Sequence, residues 1–201
     1  MFCLVTDRHR LCPDIVSFEV ARRRLVDHTK WAIKSAVDLV HVRERDLEAA
    51  DLAALVSDLV RLTRGSGTRV VVNDRVDVAL ACGADGVHLR HDSIRAESVR
   101  TMAPAGFLVG RSVHGLAEAT EAGPVDYLIA GTVFPTISKS PAAPVLGLDG
   151  LAEIVQAVAV PVLAIGGITR ERLDEVAAIG AAGVAGIGLF MEWFDRHETP
   201  S

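Results

Sequence analysis

The chain has 201 residues, 50% of them hydrophobic and only 4% aromatic, with a formal net charge of −5 at pH 7. That length and composition suit one domain with a large core built from Ala, Val, Leu and Gly. The acidic balance excludes nucleic acid as the main partner, because phosphate backbones are held by Lys/Arg surfaces.

Short apolar runs recur along the chain, with helix-patterned segments between them. The first run, "FCLVT", ends in Thr6, Asp7 and Arg8. The second, "LVHV", runs into "HVRER", where alternation along a strand would put His41, Arg43 and Arg45 on one face and Glu44 on the other. Next comes "DLEAADLAALVSDLVRL", whose helical spacing gathers Leu47, Ala50, Leu52, Leu55, Leu59 and Leu62 on one side. The third run, "RVVV", ends in Asn73 and Asp74. The fourth, "GVHL", leads into "HLRHDS". The fifth, "FLVG", leads into "GRSVH", in which Ser112 and His114 share a strand parity. The sixth, "YLIAG", opens a long loop, "GTVFPTISKSPAAPVLG", that carries Lys139. The seventh, "VPVLAIG", ends in Gly166 and Gly167, and the eighth, "GVAGIG", in Gly186, Ile187 and Gly188.

None of these runs alternates apolar with polar residues, as a half-exposed antiparallel strand would. The joints repeat too: "ACGADGV" and "AIGAAGV" share A-x-G-A-x-G-V and read as a helix end, a glycine cap and a buried strand. Eight strands alternating with helices predict a compact α/β fold, a (β/α)8 TIM barrel, as a single domain over 1–201 with its last helix cut short at "LFMEWFDRHETPS". A doubly wound open sheet is the alternative, but no G-x-G-x-x-G follows the first strand. The cysteines, Cys3, Cys12 and Cys82, have no C-x-x-C spacing, which predicts reducing cytoplasm rather than a disulfide framework or zinc site. No signal peptide and no apolar run of roughly 18 residues is seen, so no membrane association is expected. A homo-oligomer is compatible with all of this.

A barrel of this kind carries its site at the C-terminal ends of its strands. The candidates there are the cations Arg43, Arg45 and Lys139, the hydroxyl of Ser112, the imidazoles of His41 and His114, and two glycine loops, Gly166–Gly167 and Gly186–Ile187–Gly188. Glycine-rich turns that lead into a helix suit a phosphate. The expected ligand is therefore a small phosphorylated molecule with a second anionic group.

The motifs "FCLVTDR", "VHVRER", "VVNDRVDVALACGADGVHL", "VGRSVH", "GTVFPTISK" and "VLAIGGI", in this order, resemble the thiamine phosphate synthase superfamily over nearly the whole chain. The resemblance implies a (β/α)8 barrel in thiamine biosynthesis with one of two chemistries. One is the synthase, which joins an aminopyrimidine diphosphate to a thiazole phosphate with Mg2+. The other is a TenI-type thiazole tautomerase. For a synthase, the matching positions are His41, Arg43 and Arg45 on the second strand, Lys139 in the "FPTxSK" loop, and Asp74 with Asp92 for the metal. The second metal motif resembles "HLGQxD", and here Ser93 takes the place of its Asp, with Asp92 one residue early.

"HVRER" and "GRSVH" resemble the tautomerase pattern more closely, so the expected activity is thiazole tautomerase, an isomerase. In that reading His114 is the acid–base, as a group titrating near neutral pH suits. Ser112 positions the ring, Arg43 or Arg45 holds the carboxylate and the glycine loops hold the phosphate. No cofactor is expected. The alternatives are the synthase with Mg2+, and a non-catalytic regulatory protein that binds thiazole or thiamine phosphate.

Overall fold

The protein is described by a computed structural model over residues 1–14, 17–136 and 144–198. Eight parallel strands close in sequence order into a barrel: β1 (Phe2–Val5), β2 (Leu39–Val42), β3 (Arg69–Asn73), β4 (Gly86–Leu89), β5 (Leu108–Val113), β6 (Tyr127–Gly131), β7 (Val162–Ile165) and β8 (Gly183–Gly186). The helices are α1 (Arg8–Leu11), α2 (Phe18–Lys34), α3 (Ala49–Thr63), α4 (Val76–Ala81), α5 (Ala96–Met102), α6 (Leu116–Thr120), α7 (Gly147–Ala157), α8 (Leu173–Ala178) and α9 (Gly188–Glu198). The last helix, expected to be cut short, has 11 residues, as many as α7 and more than α4, α5, α6 or α8; among the described residues only α2 and α3 are longer. This is the predicted (β/α)8 barrel.

The chain forms two compact units, Met1–Phe2 with His88–Gly186, and Cys3–Val87 with Ile187–Ser201. In the first, β5, β6, β7 and β8 pair in parallel, with Ser112 opposite Ile129 and Ile129 opposite Leu163. Its buried side chains include Leu128, Leu151, Ile154 and Leu163. In the second, β1, β2 and β3 pair in parallel, with Val5 opposite His41 and His41 opposite Val71. Its core includes Leu25, Leu39, Leu55, Leu59, Phe190 and Phe194. The strands are mostly apolar, without strict alternation, because a barrel strand is covered on both faces, by the interior and by the helices.

The repeated joints behave as read. At the end of α4, Gly83 adopts φ 65°. Its N–H donates to Leu80 O (3.2 Å), while Ala84 N–H donates to Ala79 O (2.9 Å). That pair of bonds is a Schellman cap, whose left-handed residue suits glycine. Aspartates just before β4 and β6 also anchor the strand that precedes each: Asp85 Oδ2 accepts from Val70 N–H of β3 (2.7 Å) and Asp126 Oδ2 from Val109 N–H of β5 (2.6 Å).

The segment after β2 differs from the prediction. The helix starts at Ala49 rather than Asp46, and its buried face is Leu52, Leu55, Val56, Leu59, Val60 and Thr63. Leu47 and Leu62 are only half-buried and Ala50 is exposed. The cause lies far away in the chain: Asp46 is taken up by Arg8, and residues 44–47 form a turn.

Candidate active site

In the unit that contains β1 to β3, strand pairing ends at Val42, so alternation no longer governs Arg43, Glu44 and Arg45. His41 is buried, with Nε2 3.3 Å from Asn73 Oδ1. Burial, then the charge of Arg43, pushes its pKa down to about 3, so it is a neutral imidazole at neutral pH. Arg43 is half-buried, and its backbone N–H donates to Thr6 Oγ1 (2.9 Å). Arg45 is exposed. Alternation therefore does not bring the three expected side chains onto one face.

Glu44, read as facing away from His41, is 4% exposed. Its carboxylate accepts from the Arg8 backbone N–H (3.1 Å) and from Arg8 Nη1 (3.1 Å). Burial raises its pKa and the bonds from Thr6 and Arg8 oppose that shift. Arg8 also pairs with Asp46 through both oxygens at 2.6 Å, which holds the Asp46 carboxyl well below the usual range. The turn of α1 is thereby locked to the end of β2. Gly188 is the first residue of α9, and a Cβ there would lie 3.1 Å from Arg10 Nη2.

Asp74 sits in left-handed backbone at φ 62°. It does not cap α4, whose N-cap is Arg75 with no side-chain cap bond. Ile187 and Gly188 lie at the start of α9, just past β8.

The other unit holds the remaining candidates. Ser112 is half-buried, and its Oγ lies 2.9 Å from His88 Nε2. His88 Nδ1 lies 3.1 Å from Tyr127 Oη. His88 and Tyr127 are 1% and 2% exposed. Neither was singled out by sequence reasoning. The signals available were a histidine inside an apolar run and the only tyrosine in the chain.

His114 lies one residue past the end of β5, so it shares no strand alternation with Ser112. Its backbone N–H donates to Glu118 Oε2 (2.8 Å), and its Nδ1 lies 3.1 Å from the same oxygen. Its ring meets that of His91 edge-on at a centroid distance of 4.7 Å. Arg111 is buried and donates through Nη2 to Ile94 O (2.7 Å), tying the loop after β4 to β5.

Gly166 and Gly167 have φ 98° and 64°. A Cβ on Gly167 would meet Pro135 O at 2.6 Å and Phe134 Cβ at 2.7 Å. These glycines thus admit the loop after β6, which suffices to account for them without a ligand. Gly186 ends β8. Lys139 lies outside the described residues.

The two-carboxylate metal site implied by the resemblance does not fit. Both Asp92 oxygens are engaged by Arg90, at 2.8 and 2.5 Å, and the following position is Ser93. Among the described residues no group of three His, Cys, Asp or Glu is arranged to hold a metal ion. Among them, too, no helix is long and apolar enough to cross a membrane.

The TMP-TENI family, described as thiamine monophosphate synthase, matches residues 3–190. A thiamine-phosphate synthase of Methanoregula boonei is 44% identical over 158 residues, covering 78% of this chain and 73% of that protein. One from Pyrococcus horikoshii is 38% identical over 190 residues, covering 94% and 85%. A solved structure of thiamine phosphate pyrophosphorylase from Pyrococcus furiosus superposes with a TM-score of 0.80 at 36% identity, covering 94% of this chain and 86% of the other. These relatives are transferases by name, which overturns the expectation of a thiazole tautomerase and of an isomerase.

Proposed function

Because this chain belongs to the thiamine monophosphate synthase family, we propose that it joins an aminopyrimidine diphosphate to a thiazole phosphate, giving thiamine phosphate and diphosphate. The observation that carries this reading is similarity over nearly the full chain to the synthase of Pyrococcus horikoshii, 38% identical over 190 residues.

The chemistry assigns roles. The thiazole nitrogen donates its lone pair to the exocyclic carbon of the pyrimidine. A C–N bond forms, the C–O bond to the diphosphate breaks and diphosphate leaves with the electron pair. No proton moves in that step, so His114 serves as a binding group rather than as an acid–base. Arg43, Arg45 and Lys139 offset the charge that develops on the leaving diphosphate. Glycine turns suit the thiazole phosphate; the candidates are Gly166–Gly167 and Gly186 in one unit, and Ile187–Gly188 at the first turn of α9 in the other. Ser112 donates to a substrate oxyanion. A reducing, cytoplasmic setting suits the three free cysteines.

The test is turnover of the purified protein with both substrates, with and without a chelator. Equal amounts of thiamine phosphate and diphosphate support the synthase. Tight binding of thiazole phosphate without product identifies the non-catalytic binding protein instead.

A further inference from the structure

The chain Tyr127–His88–Ser112 is a buried relay that ends at a half-buried hydroxyl. We infer that Tyr127 and His88 are positioning residues that fix Ser112 as a hydrogen-bond donor toward an anionic oxygen of the phosphorylated substrate. This rests on the reading of Ser112 as a substrate contact.

The imidazole links the phenol to the hydroxyl. A neutral ring has one donor and one acceptor nitrogen, and the bond made by one nitrogen selects the role of the other. His88 Nδ1 faces a phenol, and Nε2 faces an aliphatic hydroxyl. A phenol is the better donor and the poorer acceptor of the two, because its oxygen lone pair is shared with the ring. The best match has Tyr127 O–H donating to Nδ1 and Nε2–H donating to Ser112 Oγ. With one lone pair of Oγ so occupied, the Ser112 proton is directed away from His88 and is available to a ligand. A doubly protonated ring leaves Ser112 in the same role. Only the Nδ1–H tautomer reverses it, making Ser112 donate to His88 and present lone pairs to an oxyanion, which would repel it.

The packing keeps Tyr127 in this place. Gly110 lies opposite Tyr127 in the β5–β6 register, and the Tyr127 ring occupies the space that a side chain at Gly110 would need. The rings of His88 and Tyr127 lie 5.6 Å apart between centroids, tilted by 32°. Both are held within a strand layer, so the hydrogen-bond direction is set before any ligand arrives.

The experiment reads the tautomer first, without substrate. Long-range 15N–1H NMR of the histidine rings, with His88 assigned by comparison with His88→Gln, should show a pyrrole-like Nε2 and a pyridine-like Nδ1 in the otherwise unaltered chain. A pyridine-like Nε2 overturns the proposal. In Tyr127→Phe, which keeps the ring in its slot, the Nε2–H preference should be reduced or lost; an unchanged tautomer overturns the role of Tyr127. The second arm titrates inorganic diphosphate and inorganic phosphate into single and double variants. Ser112→Ala should weaken binding of at least one anion by about tenfold, near the low end for one hydrogen bond to a charged group, and Tyr127→Phe by about threefold, the smaller loss expected when that bond is only misdirected. The double variant should bind no more weakly than Ser112→Ala alone, because both changes remove one interaction. Additive losses overturn the relay, since independent structural damage would add. Neither arm requires turnover, so failure of the relay and failure of the synthase reading are separately visible.

Discussion

Asp92 shows how far one position can move a side chain's chemistry. It stands one residue before the place where the resemblance puts a metal carboxylate, and two after Arg90. In the folded chain it turns back onto Arg90 and both oxygens are satisfied there, which lowers its pKa. Asp92→Asn should therefore change turnover by no more than about twofold, as for an exposed ion pair, and leave the response to added magnesium unchanged. A magnesium titration of both proteins checks this, and a large rise in the magnesium needed would make Asp92 a ligand. Gly167 is the opposite case, where the backbone decides. Its φ of 64° and the 2.6 Å approach to Pro135 O leave no room for a methyl group. Gly167→Ala should lower stability by roughly 1–3 kcal/mol from the left-handed backbone alone. Urea unfolding measures the loss, and an unchanged midpoint would show that the loop after β6 yields.

At the scale of elements, what was legible followed from repetition. Eight apolar runs, the A-x-G-A-x-G-V joints and the glycine caps are local signals, and each appears in the fold where the sequence puts it. The junction after β2 was not legible, because its conformation is set by residues about 36 positions away. Arg8 reaches Glu44 and Asp46 from α1, and that contact ends the strand early and delays α3 to Ala49. The same holds for Ser112, whose partner His88, and His88's own partner Tyr127, come from other strands. The Arg8–Glu44 contact also gives a prediction. Glu44→Gln keeps an acceptor for the Arg8 backbone N–H but removes the charge facing the guanidinium. It should destabilise the fold by about 1–3 kcal/mol, the cost of weakening a buried bond to a charged group. Asp46 still holds Arg8, which keeps the loss below that of a fully stranded charge. Denaturant unfolding of the variant reads the cost directly, and an unaltered midpoint would mean that Asp46 alone secures α1.

For the whole molecule, closing the barrel buries the middle of every inner strand, including a position that the sequence fills with a titratable group. His41 pairs in register with Val5 on one side and Val71 on the other. Its pKa falls from 6.5 to about 3, chiefly through burial and then through Arg43. The sign follows from proton counting: between about 3 and 6.5 the unfolded chain binds a proton at His41 that the folded chain refuses. Stability therefore rises with pH across that window. The contribution is fully present above 6.5, shrinks as the solution is acidified, and is fully lost below about 3. His41→Gln removes the titration while retaining a polar group near Asn73 Oδ1. The stability of the unaltered chain minus that of the variant should decline steadily from pH 7 to pH 4, whatever the absolute cost of the substitution. Carboxylates such as Asp46 and Asp92 titrate in both proteins, so their effect cancels in the difference. Chemical denaturation at a series of pH values measures it, and a difference that stays flat over this range would show that His41 takes up its proton inside the fold as readily as outside.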